Sequence, residues 1–434
     1  MVRLLFVGIH NHTGEGSNYR LLDATIRIKD LFEYTHELGH MGVAITDHET
    51  VGSHVEAIQT IEELKAKNPE KWKDYKLILG NEIYLCNRKQ IQEDKIYKFP
   101  HFILIAKNLR GHKALRELST RAWINNSFMW VNMRVPTFYD DLIEVMAEYK
   151  GDVVASTACL GGSLPQQVLI AYYENPEHPN LGMCVKWIEK MKSIFGDGNF
   201  FLELQPSVQE EQKITNRLLI TLSQLTNTPY IITTDSHYLK KEDKAVHDAF
   251  LKSQEADRET GDFYASTYVM SEDEIHEYMD ESLGYDAVET GINNTMLIYN
   301  MCENYTLYRD LNIPYIPSSE EEPSPELFNE FKNKIPLLQY FYESKYSSDR
   351  HLVREITKKI KLKSEELYNQ ETFDAIQVCL DSIKKSSEKQ GTPWSAYLLQ
   401  TSDLIKVCWE SGSLVGPSRG SGLGFILLYI LDIT

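Results

Sequence analysis

The chain has 434 residues, 42% of them hydrophobic, enough to fill two or more domains. Its 45 basic and 63 acidic residues leave a formal charge of −18, which excludes a whole-surface electrostatic grip on nucleic acid but not a local basic groove. No apolar run reaches membrane-spanning length, the first residues lack a signal-peptide pattern, and the six cysteines are scattered without a CxxC pair. The expectation is a soluble cytoplasmic chain with reduced thiols.

Up to about residue 250, short β-branched runs alternate with helical stretches, which predicts an α/β domain. Strands are expected over residues 4–9, 43–46, 77–83, 102–106, 153–156, 200–204 and 230–233, with helices over 28–38, 54–67 and 212–225. Seven strands interleaved with helices suit a β/α barrel better than an open sheet. Past residue 250 the sequence becomes charged and helix-rich. Residues 313–325, with four prolines and an acidic run at 320–322, read as a linker or surface loop. Residues 332–363 alternate basic and apolar positions, which favours a solvated helix face over a phosphate-contacting one.

The chemistry-bearing residues collect at strand ends. His10 and His12 follow the first strand, and two residues apart in extended chain both imidazoles point to one side. The same placement recurs with Asp47 and His48 after 43–46, Glu82 within LILGNEIYL, Cys159 after VVASTA, and Asp235 and His237 after YIITT. In a barrel, strand carboxyl ends converge on one site. His101 is the exception, because it opens its strand. Imidazole, carboxylate and thiolate donors in this number suit zinc, manganese or iron, and several such ions together suit phosphoester hydrolysis.

The segments HNHTGEGSNYRLLD, GVAITDHETVG, ILGNEIYL, HFILIAKN, STACLGG and TTDSHYLKKED resemble, in order, the motifs of the PHP domain that opens bacterial C-family replicative DNA polymerases, the DNA polymerase III alpha subunits. The resemblance implies a distorted (β/α)7 barrel with nine ligands around up to three divalent metals. His10, His12, Glu82 and Asp235 would hold one ion. Glu82, His101 and Cys159 would hold a second, with Glu82 bridging, and Asp23, His48 and His237 a third. All nine positions are retained, which implies a metal centre with 3′–5′ exonuclease or phosphoesterase activity. The remaining histidines, 36, 40, 54, 112, 178, 247, 276 and 351, are expected to be structural or superficial.

The segment VGPSRGSGLGFILLYILDIT resembles the glycine-rich palm motif of the same family, which contacts the incoming nucleotide's triphosphate. By that resemblance Gly416, Arg419, Gly420 and Ser421 would bind nucleotide. Glycines admit backbone amides close to phosphate, and Arg419 offers a planar fork. Ser418, Gly422 and Leu423 depart from the family's usual glycine and alanines. The expected organisation is a PHP domain over 1–250, a connecting helical region over 251–325, and the start of a mostly helical α+β palm over 326–434. The family's catalytic aspartates follow this motif, so the sequence up to Thr434 holds no complete polymerase site. The expectation is therefore no nucleotide incorporation by this chain alone, with magnesium serving polymerisation only if a further chain completes the site. The implied partners are DNA primer-template, dNTP and a complementary chain, in a bacterial or phage replication setting. The alternatives are a stand-alone PHP phosphoesterase and a structural module of a split polymerase.

Overall fold

A computed structural model describes residues 5–19, 22–125, 134–254, 260–309, 323–363, 365–416 and 420–434. Contacts divide the chain into two units, residues 1–307 and 308–434.

In the first unit, eight strands form one sheet: β1 (Val7–Gly8), β2 (Gly42–Ile45), β3 (Lys76–Cys86), β4 (His101–Ala106), β5 (Pro136–Phe138), β6 (Val153–Ser156), β7 (Phe200–Leu204) and β8 (Tyr230–Ile232). The order is β1-β2-β3-β4-β6-β7-β8, with β5 beside β3. Neighbours are parallel except at β4, which runs antiparallel to both β3 and β6. The two ends of the sheet meet through backbone bonds: His12 N donates to Ser236 O (2.9 Å) and Ser236 N donates to His10 O (3.2 Å). The barrel-like closure expected from the strand count is thus made at the carboxyl ends of β1 and β8.

Side chains along each strand alternate between two apolar layers, as the period of two requires. On β4, Ile103 and Ile105 join an inner cluster with Val7, Val154, Phe201 and Ile231, whereas Phe102, Leu104 and Ala106 face the surrounding helices. The inner face carries Ile78 low on β3 and then, at the same parity, Glu82 and Tyr84. One half of the interior is therefore hydrocarbon and the other is polar.

The helices Ile28–Leu38 and His54–Lys67 have the expected limits, and the third runs Glu210–Thr226. The first strand is shorter than expected because only Val7 and Gly8 pair with β2. Strand β5 is too short for any periodicity to reveal it. The larger difference lies past residue 250. Ser271 and Glu274 form a capping box that starts the helix Glu272–Leu283. The helix Tyr285–Met301 buries Val288 and Ile292 in the barrel's outer core, and Gly291 lets it approach closely, since a Cβ there would lie 2.7 Å from Ile232. The expected connecting region of 251–325 therefore divides: its described residues from 260 to 307 belong to the first unit and pack on the barrel through apolar burial. Most of the expected loop at 313–325 lies outside the described residues.

Among its described residues the second unit's regular elements are all helices, in keeping with the mostly helical expectation. The helix Ser347–Lys363 buries Leu352, Val353, Ile356 and Ile360 at helical spacing. Its lysines form surface ion pairs, Lys359 and Lys363 with Asp432 and Lys361 with Glu330. The helix Trp394–Glu410 precedes the glycine-rich turn. Among the described residues no helix is long and apolar enough to cross a membrane.

Candidate metal centre

All nine residues singled out by sequence come together at the polar end of the first unit's sheet. His101 explains itself: because β4 is reversed, its first residue lies at the same edge as the last residues of the parallel strands, with Tyr84 opposite His101 in the ladder. The irregular turns beyond the strands place the others, and three of them hold non-glycine residues at positive φ: Glu49 (59°), Ala158 (57°) and Asp235 (45°). Such backbone costs energy, of order 1–3 kcal/mol each, and tends to persist at sites where side chains must be aimed. Gly16 is needed for a different reason, since a Cβ there would fall 1.9 Å from Asp47 Oδ2.

Glu82 sits at the middle. Its Oε1 lies 3.0 Å from His101 Nδ1 and 3.5 Å from His10 Nε2, and its Oε2 lies 2.6 Å from His48 Nδ1 and 3.5 Å from His12 Nε2. Neither oxygen accepts a well-aimed hydrogen bond, although both are buried. Asp235 Oδ1 is 3.1 Å from both His10 Nε2 and His12 Nε2, and those two nitrogens are 3.0 Å apart. Asp23 Oδ2 lies 3.2 Å from His48 Nε2 and 4.0 Å from His237 Nε2. Cys159 Sγ is 3.3 Å from His101 Nδ1. Three donor groups have atoms all within 4.8 Å of one another: His10, His12 and Glu82; Glu82, His101 and Cys159; and His12, His48 and His237.

The free nitrogens are set by what the opposite ring atoms bond. His12 Nδ1 lies 3.1 Å from Ser17 Oγ, which donates to Asp47 Oδ1, leaving Nε2 for the centre. His237 Nδ1 donates to the Asp235 carbonyl (2.8 Å), again leaving Nε2. Asp47 is not in any donor group; it is a fully bonded anchor that accepts from Thr13 N, Thr13 Oγ1, Ser17 Oγ and Ser53 Oγ.

The electrostatics suit cations. Burial alone would raise Asp235 and Glu82, but the neighbouring imidazoles, His10 and His237 for the first and His101, His48 and His10 for the second, hold both carboxyls well below the usual range. Burial and His12 push His237 down to about 4. Burial also lowers His10, but Asp235, Glu203 and Glu82 outweigh it and raise the ring to about 10. Burial, Asp235 and Glu82 push the Cys159 thiol up. The surrounding carboxylates thus favour the protonated forms of His10, His48 and Cys159, and a divalent ion bound there would displace those protons. Converging nitrogen lone pairs, a carboxylate accepting no hydrogen bond and a buried thiol among anions together fit metal ions.

Two buried residues close to this centre were not singled out by the sequence. Glu203, on the inner face of β7, is 1% exposed with Oε1 2.6 Å from His10 Nδ1. A charged residue inside the apolar run FFLEL of a strand covered on both faces was the available signal. His247, expected to be structural, donates from Nε2 to the Asp23 carbonyl at 2.6 Å, and so braces a candidate ligand's backbone. Of the nucleotide-binding candidates, Arg419 lies outside the described residues. Gly420 has φ 127°, Gly416 borders open space, and Ser421 begins a short 3-10 turn before the helix Ile426–Ile430. That helix is only five residues long.

Residues 9–207 match the PHP domain family. Residues 350–434 match the bacterial DNA polymerase III alpha NTPase domain. The chain carries both and is homologous to DNA polymerase III alpha subunits and their phage and Bacillus relatives over nearly its whole length. It is 36% identical over 99% of its length to a probable DNA polymerase, YorL, of Bacillus subtilis (strain 168), and equally to a DNA-directed DNA polymerase of Bacillus phage SPbeta, covering 34% of each. It is 27% identical over its full length to the DNA polymerase III subunit alpha of Treponema pallidum (strain Nichols), covering 32% of it. The chain thus spans about one third of the length of these relatives.

Proposed function

We propose that this chain serves DNA replication as the front region of a C-family DNA polymerase, and that its PHP unit is a working metal-dependent phosphoesterase acting as a 3′–5′ exonuclease on DNA ends. The observation that carries the hydrolytic reading is Glu82, buried, accepting no hydrogen bond and met by four imidazole nitrogens within 3.5 Å. His10, His12, Glu82 and Asp235 would hold one ion, Glu82, His101 and Cys159 a second, and Asp23, His48 and His237 a third. The mix of imidazole, carboxylate and thiolate favours zinc, manganese or iron. Ions bound there supply the charge neutralisation and nucleophile activation that in-line phosphoester hydrolysis requires.

The chain's own residues do the rest. Glu82 would keep two of the ion positions adjacent by serving both from one strand. Ser17 and Asp47 hold His12, and the Asp235 carbonyl holds His237, so that the ligands are in place before substrate arrives. Their burial keeps stray water from competing for the donors. A labelled primer incubated with manganese or zinc should be shortened from its 3′ end by the parent protein and not by His12→Ala or Asp235→Asn. Unchanged primer in every lane would defeat the exonuclease reading.

The match of residues 350–434 to a polymerase domain supports a second role. Gly416, Arg419, Gly420 and Ser421 would contact the triphosphate of an incoming nucleotide, with magnesium, once a further segment or a complementary chain supplies the acidic residues of the palm. The implied substrates are primer-template DNA and dNTP, and the implied setting is the bacterial cytoplasm, including that of a phage-infected cell. Primer extension by the isolated chain would contradict the division of labour between the two sites.

A further inference from the structure

The outer partners of the candidate ligands differ in charge. His12 Nδ1 meets a serine hydroxyl and His237 Nδ1 meets a backbone carbonyl, both neutral. His48 Nδ1 meets Glu82, which already belongs to the ligand set. His10 alone among these four meets a carboxylate outside that set, Glu203, at 2.6 Å.

Glu203 is built into its place. Its Oε1 also accepts from Thr233 Oγ1 (2.6 Å) and Gln205 Nε2 (2.9 Å), and its Oε2 accepts from Ser156 Oγ (2.5 Å). Strand neighbours from β6 to just beyond β8 thus grip it. Among the described residues no lysine or arginine pairs with it, and the carboxylate's ion-pair partner is the His10 ring. With its lone pairs filled and its exposure 1%, it has no direct route to a substrate.

We infer that Glu203 is the positioning carboxylate of the centre: it fixes the Nδ1–H tautomer of His10, aims Nε2 at the ion shared with His12, Glu82 and Asp235, and makes that ring a stronger donor. The inference rests on the reading that the centre binds metal. A carboxylate behind a ligating histidine raises its basicity and commonly contributes about 10–100-fold to metal affinity. The grading of partners has a further consequence. The ion at His10 should be the tightest bound and the first to fill as metal is added, because its ligand alone has a dedicated anionic support.

The test is a chelator-competition titration of the full chain with zinc and with cobalt, the latter also read by its visible absorption. Glu203→Gln keeps the volume and removes the charge. It should weaken one ion per chain by about 10–100-fold and leave the others unchanged. Glu203→Asp, which keeps the charge, should recover part of the affinity, and Ser156→Ala, which only loosens the grip, should lose less. The thermal transition of each metal-free variant verifies that it folds. If the parent takes up metal and Glu203→Gln binds every ion as tightly, the role of Glu203 is overturned while the metal centre stands. If the parent takes up no ion, both fall.

Discussion

Two groups of carboxylates, one in each unit, sit in opposite surroundings. In the first, Glu82, Asp235 and Glu203 are buried, and among the described residues no lysine or arginine pairs with any of them. In the second, Lys359, Lys361 and Lys363 reach across the surface to Asp432 and Glu330, themselves partly exposed. Buried carboxylates facing imidazoles are costly until a cation joins them, whereas exposed pairs cost and gain little. The contrast separates buried carboxylates that await a cation from exposed ones that already have lysine partners.

That contrast can be broken most severely at Glu82. Glu82→Ala should abolish hydrolysis and remove more than one ion, a loss exceeding the roughly 100-fold ceiling typical of an outer partner. Metal analysis and a primer-degradation assay check it. Chelation comes next. Restoring a metal to 100 times its Kd should add about 2.7 kcal/mol to the first unit. Calorimetry should show the gain in that unit's transition and none in the second.

A pH series sharpens the comparison. Burial pushes His40 to about 4, His54 to about 3 (with His112 adding to the shift), and His112 and His247 to about 4. Each folded value is depressed below the ordinary one near 6.5, so the unfolded chain binds more protons in this window. Stability therefore falls as pH drops from about 6.5 toward 4, by up to about 1.4 kcal/mol per pH unit for each such histidine. Thermal melts of the metal-free protein between pH 7 and 4 should show the loss in the first unit.

Gly16→Ala tests the loop behind His12. Its Cβ would collide with the Asp47 carboxylate, and the expected cost is about 1–3 kcal/mol with weaker metal binding. The smallest effect belongs to the second unit, where Lys363→Ala should change stability by less than about 1 kcal/mol. A larger loss on denaturant titration would show that its surface pairs do more than solvate.

Much of the first unit was legible because apolar runs bounded by histidines and carboxylates mark strand ends directly, and the helices 28–38 and 54–67 carried clear periodicity. His101 looked misplaced only because strand direction is invisible in a sequence; the reversal of β4 restores it. Glu203 was hidden for a related reason. It faces inward from the middle of FFLEL, and nothing local says that His10, 193 residues away, waits opposite. The shell helix Tyr285–Met301 was read as a connector because its composition is mixed, and only its packing on β8 assigns it. In the second unit the glycine-rich turn could be recognised by resemblance, and the helix-rich character past residue 326 was legible in its charged, apolar-spaced sequence.

The most direct test of the account is metal content joined to activity on one preparation. The parent chain, purified without chelator, should carry more than one equivalent of zinc, manganese or iron and shorten a 3′-labelled primer, and Asp235→Asn should lose both metal and activity. A parent with no bound metal after reconstitution, or one that degrades the primer as well when Asp235 is replaced, would contradict it.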